Sequence, residues 1–186
     1  MVEYLKVMDE RITQCDKIIQ DLISFTRIST PVYSSVTLIE VLESTLDGVE
    51  TPGGISVIRH YGGTDVHAQA GPFQLLRVFT NLIANANEAM LEGGELTVAV
   101  RSVGPSAEVA ITDTGPGISP EGLEKIFEPL YTTKIQGTGL GLSVCQQVIA
   151  KHNGSLAVHS KVGFGTTFTV SLPLFAASNQ PLQPGG

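Results

Sequence analysis

Two pairs of alternating apolar runs, each joined by a connection of only a few residues, set the strongest limit on how this chain can fold. Leu96-Thr97-Val98-Ala99-Val100 and the run from Ala107 to Asp113 flank a Gly-Pro turn, while residues 156–160 and 166–172 flank Val162-Gly163-Phe164-Gly165. Alternation at period two marks half-buried strands. A parallel pair would need a crossover of about a dozen residues or more, so both connections predict antiparallel pairs. Upstream and between them the apolar spacing changes to three and four. Leu38, Ile39, Val41, Leu42 and Leu46 have helical spacing, as do Leu76, Phe79, Leu82, Ile83, Ala86 and Met90, and later Leu140, Val144, Val148 and Ile149. A short strand is expected at Ile55-Ser56-Val57-Ile58. The mixture predicts an α+β fold in two layers, with helices on one face of a mixed, mostly antiparallel sheet, rather than a doubly wound parallel one.

The chain is long enough for one such unit. Its 186 residues are 42% hydrophobic and 16% charged, which can bury a core and argues against disorder. A formal net charge of -7 argues against nucleic acid or an anionic membrane as the main partner. Cys15 and Cys145 lie far apart on helical patterns, so neither a disulfide framework nor a cysteine zinc site is expected, and the cytoplasm is the expected compartment. No apolar run approaches the roughly 18 residues of a membrane span, and Met1-Val2-Glu3-Tyr4 opens no targeting pattern.

Near the start, Leu5, Met8, Ile12, Cys15, Ile19, Leu22 and Thr26 repeat at alternating three and four, with Ile18 and Phe25 widening the stripe. Such a helix is marginal alone and implies a partner helix. Pro31 cannot continue it and biases Thr30 toward extended geometry. The expected organisation is therefore a bundle helix over 1–30, a hinge over 31–36, a main domain over 37–174, and a disordered tail over 175–186. Gly71-Pro72 opens the long middle helix, with proline where a first-turn position tolerates it, and Gly93-Gly94 stops it. The stretch from Thr114 to Thr138 reads as loop.

Three local patterns carry chemistry. Asn81, Asn85 and Glu88, at i, i+4 and i+7, share one face of an otherwise apolar helix, and their oxygens suit magnesium, though a solvated helix face would look the same. Asp113-Thr114-Gly115-Pro116-Gly117 puts an acid at a strand end, where it can accept from an exocyclic amine while glycines let backbone approach a flat ring. An ordinary Asp-Gly turn is the plain alternative. Gly137-Thr138-Gly139-Leu140-Gly141-Leu142 runs into a helix, offering free N–H groups and a positive dipole end to an anion, with Thr132, Thr133 and Lys134 just upstream. No Gly-Lys dipeptide occurs, and the Gly-x-Gly-x-x-Gly spacing is not met in this loop, which removes the two commonest nucleotide folds.

Taken in order, Asn81-Leu-Ile-Ala-Asn85-Ala86, Asp113-Thr-Gly-Pro-Gly117, Ile126-Phe-Glu-Pro-Leu-Tyr-Thr-Thr-Lys134, Gly137-Thr-Gly-Leu-Gly-Leu142 and Gly163-Phe-Gly-Thr166 strongly resemble the catalytic ATP-binding domain of two-component sensor histidine kinases. The matching segments are that family's N, G1, F and G2 boxes. The resemblance covers about residues 37 to 174, and the N-terminal helix is similar to the second helix of the family's dimerisation and phosphotransfer hairpin, which implies a homodimer through that helix.

The short segment between Lys134 and Gly137 is similar to the lid of nitrogen-regulation kinases. The resemblance implies the Bergerat-type sandwich shared by gyrase, Hsp90, histidine kinases and MutL. It implies that Asp113 reads the adenine amine, with Gly115 and Gly117 beside the base and Thr166 behind it. Asn85, assisted by Asn81, would hold Mg2+ through the phosphates of ATP. Thr132, Thr133 and Lys134 would belong to the lid, and the loop from Gly137 through Thr138, Gly139, Leu140, Gly141 and Leu142 would wrap the phosphates. Asn81, Asn85 and Lys134 would be the catalytic set. The implied reaction moves the γ-phosphate to a histidine, and from there to an aspartate of a response regulator receiver domain.

Two departures stand out. The family's acceptor histidine is missing, since His60, His67, His152 and His159 all lie outside the N-terminal helix, so the simplest expectation is a piece of a longer kinase whose acceptor helix lies elsewhere. At Glu88 many members carry a basic or neutral group. Here the carboxylate would either face magnesium through water or form a salt bridge. The competing functions are an ATPase or serine kinase of the same superfamily, which would usually need a glutamate where Asn81 stands, and a nucleotide-binding dimerisation module without transfer activity.

Overall fold

The computed structural model describes Tyr4, Met8, Ile12, Ile19 and residues 32–63, 66–134 and 137–175. The four early residues are helical and exposed, and all are apolar or aromatic. The rest of the predicted bundle helix, and the break at Thr30-Pro31, lie outside the described residues.

From there the order is β1 (Ser34–Thr37), α1 (Leu38–Gly48), β2 (Ile55–Tyr61), β3 (His67–Ala70), α2 (Pro72–Ala89), β4 (Gly94–Val103), β5 (Ser106–Asp113), α3 (Pro120–Lys125), α4 (Gly141–Lys151), β6 (Ser155–Lys161) and β7 (Gly165–Pro173). Five strands make one sheet in the order β2-β4-β5-β7-β6. Only β2 and β4 run parallel, with α2 carried in the connection between them, and every other pair is antiparallel. This is the predicted mixed, mostly antiparallel sheet. At the β4–β5 hairpin Gly104 adopts φ +56, a left-handed position that tight hairpin turns need and that glycine reaches without strain.

The core lies between the sheet and one layer of three helices. Leu38 and Leu42 of α1, Leu75, Phe79, Leu82 and Ile83 of α2, and Cys145 and Ile149 of α4 are fully buried. They face Leu96 and Val98 of β4, Val109 and Ile111 of β5, and Val170 and Leu172 of β7. The intervening positions, Thr97, Ala110, Thr112, Thr167 and Thr169, are half-buried and turn to the other face, where Thr112 and Thr167 share a hydrogen bond of 2.9 Å. Burial pushes the Cys145 thiol up to about 12, so this sulfur is a core group and not a nucleophile.

Several segments differ from the expectation. Residues 34–36, placed in the hinge, form β1 together with Thr37, and this strand pairs antiparallel with the unpredicted β3 in the register Ser34↔Ala70 to Thr37↔His67. Four-residue strands carry too little alternation to be seen locally; they exist because each finds the other. The short strand at 55–58 extends to Tyr61 because β4 supplies a ladder along its whole length. Within the expected loop, Ser119 caps α3 by accepting from the Gly122 N–H at 3.1 Å, and Pro120 takes the first-turn position. The tail expected from 175 begins tied down, since Leu174 bridges Ala68 and the Phe175 N–H donates to the His67 carbonyl at 2.9 Å. Residues 176–186 lie outside the described residues.

His152 closes α4 at its C-cap. It is buried, its Nε2 accepts from the Gly71 N–H at 3.0 Å, and its Nδ1–H donates to the Val148 carbonyl at 2.7 Å. An accepting Nε2 carries no proton, so the ring is a neutral staple between the start of α2 and the end of α4. Tyr33 packs edge-on against it at 5.5 Å and donates its hydroxyl to the Lys151 carbonyl, tying the segment before β1 to the same point. No helix among the described residues is long and apolar enough to cross a membrane.

Because Phe79 is the largest fully buried side chain and sits where α2 meets the sheet, Phe79→Ala should cost about 3–5 kcal/mol through lost burial and a residual cavity. Urea unfolding should show this as a lower midpoint with an unchanged slope.

Candidate active site

A cleft of about 670 Å³ opens between α2, the end of β5, α3, and the segment leading into α4. It gathers the residues singled out above from five separate stretches of chain. Asn81, Asn85, Asp113, Gly117, Thr132, Thr133, Lys134, Gly137, Thr138, Gly139, Gly141, Leu142 and Thr166 all line it. Gly115 and Leu140 do not. Gly115 stands behind the acid, donating its N–H to Asp113 Oδ1 at 2.9 Å. Leu140 is buried at the cap of α4, where its carbonyl accepts from Ser143 Oγ and the Val144 N–H. An apolar side chain in a glycine loop is better used to anchor the loop than to meet a ligand.

The apolar wall of the cleft was not legible locally. Ile118, Ile126, Tyr131 and Phe168 line it, and they come from the loop before α3, the end of α3, the stretch after it, and β7. No short motif spans such a set. The signal that could have found them is the alternation of β7, which turns Phe168 to the same face as Thr166.

At one end of the cleft Asp113 closes β5 and is only 5% exposed. Burial raises its pKa above the ordinary carboxylate value, and the N–H groups of Gly115 and Thr166 and the charge of Lys134 oppose that rise without cancelling it. Opposite it in register stands Thr166. Its Oγ1 lies 2.9 Å from Ser160 Oγ, and Ser160 Oγ donates to the Gly165 carbonyl at 2.9 Å, so the Thr166 hydroxyl is the donor of the pair. Ser160 also accepts from the Ile118 N–H at 2.8 Å, which fixes the loop that floors this end.

Gly117 must be glycine. Its φ is +73, and a Cβ there would lie 2.3 Å from the Lys161 carbonyl oxygen. Gly139 is held the same way, with φ +68 and backbone of Leu130 2.4 Å from where a Cβ would be.

The other end is built for charge. Lys134 Nζ donates to Asn85 Oδ1 at 3.0 Å and to Glu88 Oε2 at 2.5 Å. Asn81 Nδ2 donates to the Arg77 carbonyl one turn back at 3.2 Å, which leaves Oδ1 directed toward Gly141, at the first turn of α4. The N-cap residue of α4, Leu140, has no side chain that could cap it, and Gly141 and Leu142 of the first turn line the cleft, which puts the positive end of the helix beside it. Among the described residues no cluster of three His, Cys, Asp or Glu exists that could cage a metal without help. The Asn85 amide oxygen and the Glu88 carboxylate are hard donors that already gather a cation, the Lys134 ammonium. That fits magnesium shared with water and phosphate oxygens, and does not fit an all-protein cage.

Residues 70–176 match the model of the family described as histidine kinase-, DNA gyrase B- and HSP90-like ATPases. The chain belongs to that family. As a member of these ATPases it carries a nucleotide-binding domain, and the α+β architecture is theirs.

Among curated relatives, the signal transduction histidine-protein kinase AtoS of Escherichia coli K12 is 34% identical over 182 residues, covering 96% of this chain and 30% of that protein. The chain spans 30–41% of the length of three such relatives. Among solved structures, full-length ShkA in complex with AMPPNP superposes with a TM-score of 0.82 at 21% identity, covering 94% of this chain and 39% of that one. Histidine kinase ThkA in complex with the response regulator protein TrrA gives 0.76 at 22% identity, with 92% and 50% covered. At those identities the two structures establish the shared fold.

Asp113 yields a signed prediction. A raised pKa means that, as the pH falls, the folded state takes up the proton before the unfolded one, so ionised Asp113 costs stability above its raised value, and the cost shrinks as the pH falls through that value and is gone below the ordinary carboxylate range. Asp113→Asn should therefore be at least as stable as the parent at pH 7, and urea unfolding should show the difference shrinking on acidification.

Proposed function

We propose that this chain is the ATP-binding catalytic module of a sensor histidine kinase, which transfers the γ-phosphate of ATP to a histidine for relay to a response regulator aspartate. One observation carries the reading. One cleft holds both a buried acid beside Thr166, which suits a purine amine, and the charged group of Asn85, Glu88 and Lys134 next to the start of α4, which suits phosphates with magnesium. Histidine kinases among its relatives, AtoS included, support the same assignment.

At the purine end, ionised Asp113 accepts from the exocyclic amine while Gly117 lets the backbone lie against the ring. Ile118, Ile126 and Phe168 exclude water from the base. At the phosphate end, the α4 N–H groups and Lys134 take up negative charge as it spreads over the transferring group. Asn85, with Asn81 one turn earlier, would hold magnesium, which supplies charge neutralisation between the phosphates when bound.

Histidine transfer is favoured over hydrolysis by Asn81. An amide whose N–H is already committed to the Arg77 carbonyl cannot take a proton from water as a general base would. The acceptor is not one of this chain's own histidines, since none of His60, His67, His152 or His159 lines the cleft. It would come from a separate acceptor helix, with the N-terminal stripe pairing two copies. The response regulator receiver domain follows as the onward partner, as ThkA's complex with TrrA illustrates for that kinase, and the cytoplasm as the site of action.

The deciding experiment incubates the protein with γ-labelled Mg·ATP and a separately supplied acceptor-helix hairpin. Tight binding, slow phosphate release and acid-labile label on the hairpin are expected. Rapid phosphate release without label would instead make it an ATPase of the wider family. In calorimetric titration Asp113→Asn should weaken ATP binding by about 10- to 100-fold, the worth of one charge-assisted hydrogen bond, and Asn85→Ala should remove most of the magnesium-dependent affinity.

A further inference from the structure

Glu88 lines the charged end of the cleft and is given no step of its own in the scheme above, yet it makes a close contact with the Lys134 ammonium. Its Oε2 lies 2.5 Å from Lys134 Nζ, while the same ammonium reaches Asn85 Oδ1 at 3.0 Å. The carboxylate and the amide oxygen stand three residues apart on one face of α2, so the ammonium bridges the two oxygens best suited to magnesium. Both side chains are about two-fifths exposed, at 40% and 42%. A pair so open to water adds little to stability, which leaves its position as the informative property.

We infer that Glu88 is a specificity-determining positioning residue: it holds Lys134 on the magnesium position of the nucleotide-free protein and so makes the site select Mg·ATP over free ATP. The inference rests on the reading of the cleft as an Mg·ATP site and deepens it. The electrostatics follow from charge counting. Metal-free ATP brings phosphates toward a carboxylate and must also draw Lys134 away from it, so it meets a like charge and a cation already engaged. With magnesium the balance changes. A divalent cation beside Asn85 and Glu88 repels the ammonium and satisfies the carboxylate, so Lys134 is released toward the phosphates at no loss to Glu88. Asp113 is the other acid among the described residues lining the cleft, and the charge of Lys134 reaches it as well, although the ammonium's hydrogen bonds go to Asn85 and Glu88.

The test measures ATP affinity by calorimetry with excess Mg2+ and with a chelator, in the parent protein and in Glu88→Gln, Lys134→Met and the double variant, with thermal melts to verify folding. Manganese bound in the presence of ADP, followed by electron paramagnetic resonance, gives a metal readout separate from turnover. In the parent, magnesium should strengthen ATP binding. In Glu88→Gln, metal-free ATP should bind about tenfold tighter, and the strengthening by magnesium should shrink by about the same factor. In the Lys134→Met background the gain from Glu88→Gln should fall severalfold, because no held cation remains to be released.

A magnesium effect within twofold of the parent's in Glu88→Gln would overturn the inference. So would weaker Mg·ATP and manganese binding with unchanged metal-free affinity, which would make Glu88 a plain metal ligand. An equal gain in both lysine backgrounds would overturn it as well. A parent that bound no nucleotide at all would instead sink the underlying reading of the cleft, and this inference with it.

Discussion

Everything at this site depends on how α2 is seated. One side of the helix, through Leu75, Phe79, Leu82, Ile83 and Ala86, is buried against the sheet and the neighbouring helices. That burial fixes the rotation of the helix, and the rotation alone decides that Asn81, Asn85 and Glu88 open on the cleft. The ends of the helix are set by other means, with Gly71 pinned to His152 at the start and the Met90 N–H returning to Asn87 at the finish. The side chains proposed above to hold magnesium are therefore positioned by apolar packing on the far side of the same helix.

The two poles of the cleft use opposite physical means. At Asp113 the protein buries a carboxylate and accepts the cost, since the N–H groups of Gly115 and Thr166 offset it only in part, and on the proposed reading a ligand amine would add a further donor. At Lys134 the charges stay partly in water and are paired with one another, so they can exchange partners at small cost. A rigid, expensive group suits recognition of a base. Paired charges open to water would suit the phosphate end proposed above, whose occupancy would change during transfer.

Much of the site was legible because its chemistry is local. Three polar residues at helical spacing, an acid at a strand end, and glycines running into a helix each have a short-range physical cause, and the structure brings all three onto one cleft. Gly115 and Leu140 were assigned by the same motifs to the ligand and lie behind the lining instead, since a motif marks a stretch of chain and not which of its side chains faces inward. The apolar wall, with Ile118, Ile126 and Phe168, has no motif because its members meet only after the sheet closes.

The sequence by itself determined the periods, and with them the kind of each long element, the antiparallel hairpins, the two-layer class and the identity of the chemical groups. Periodicity and turn chemistry act over a few residues, so they survive without knowledge of the fold. Tertiary structure alone decided the rest. β1 and β3 exist only as partners, across a separation of some thirty residues. His152 became a neutral staple because an N–H from the start of α2 arrived at its Nε2. Lys134 met Glu88 and Asn85 across a gap of more than forty residues. Each of these depends on where distant backbone lies, and a partner's distance in space is not written in the pattern of either segment.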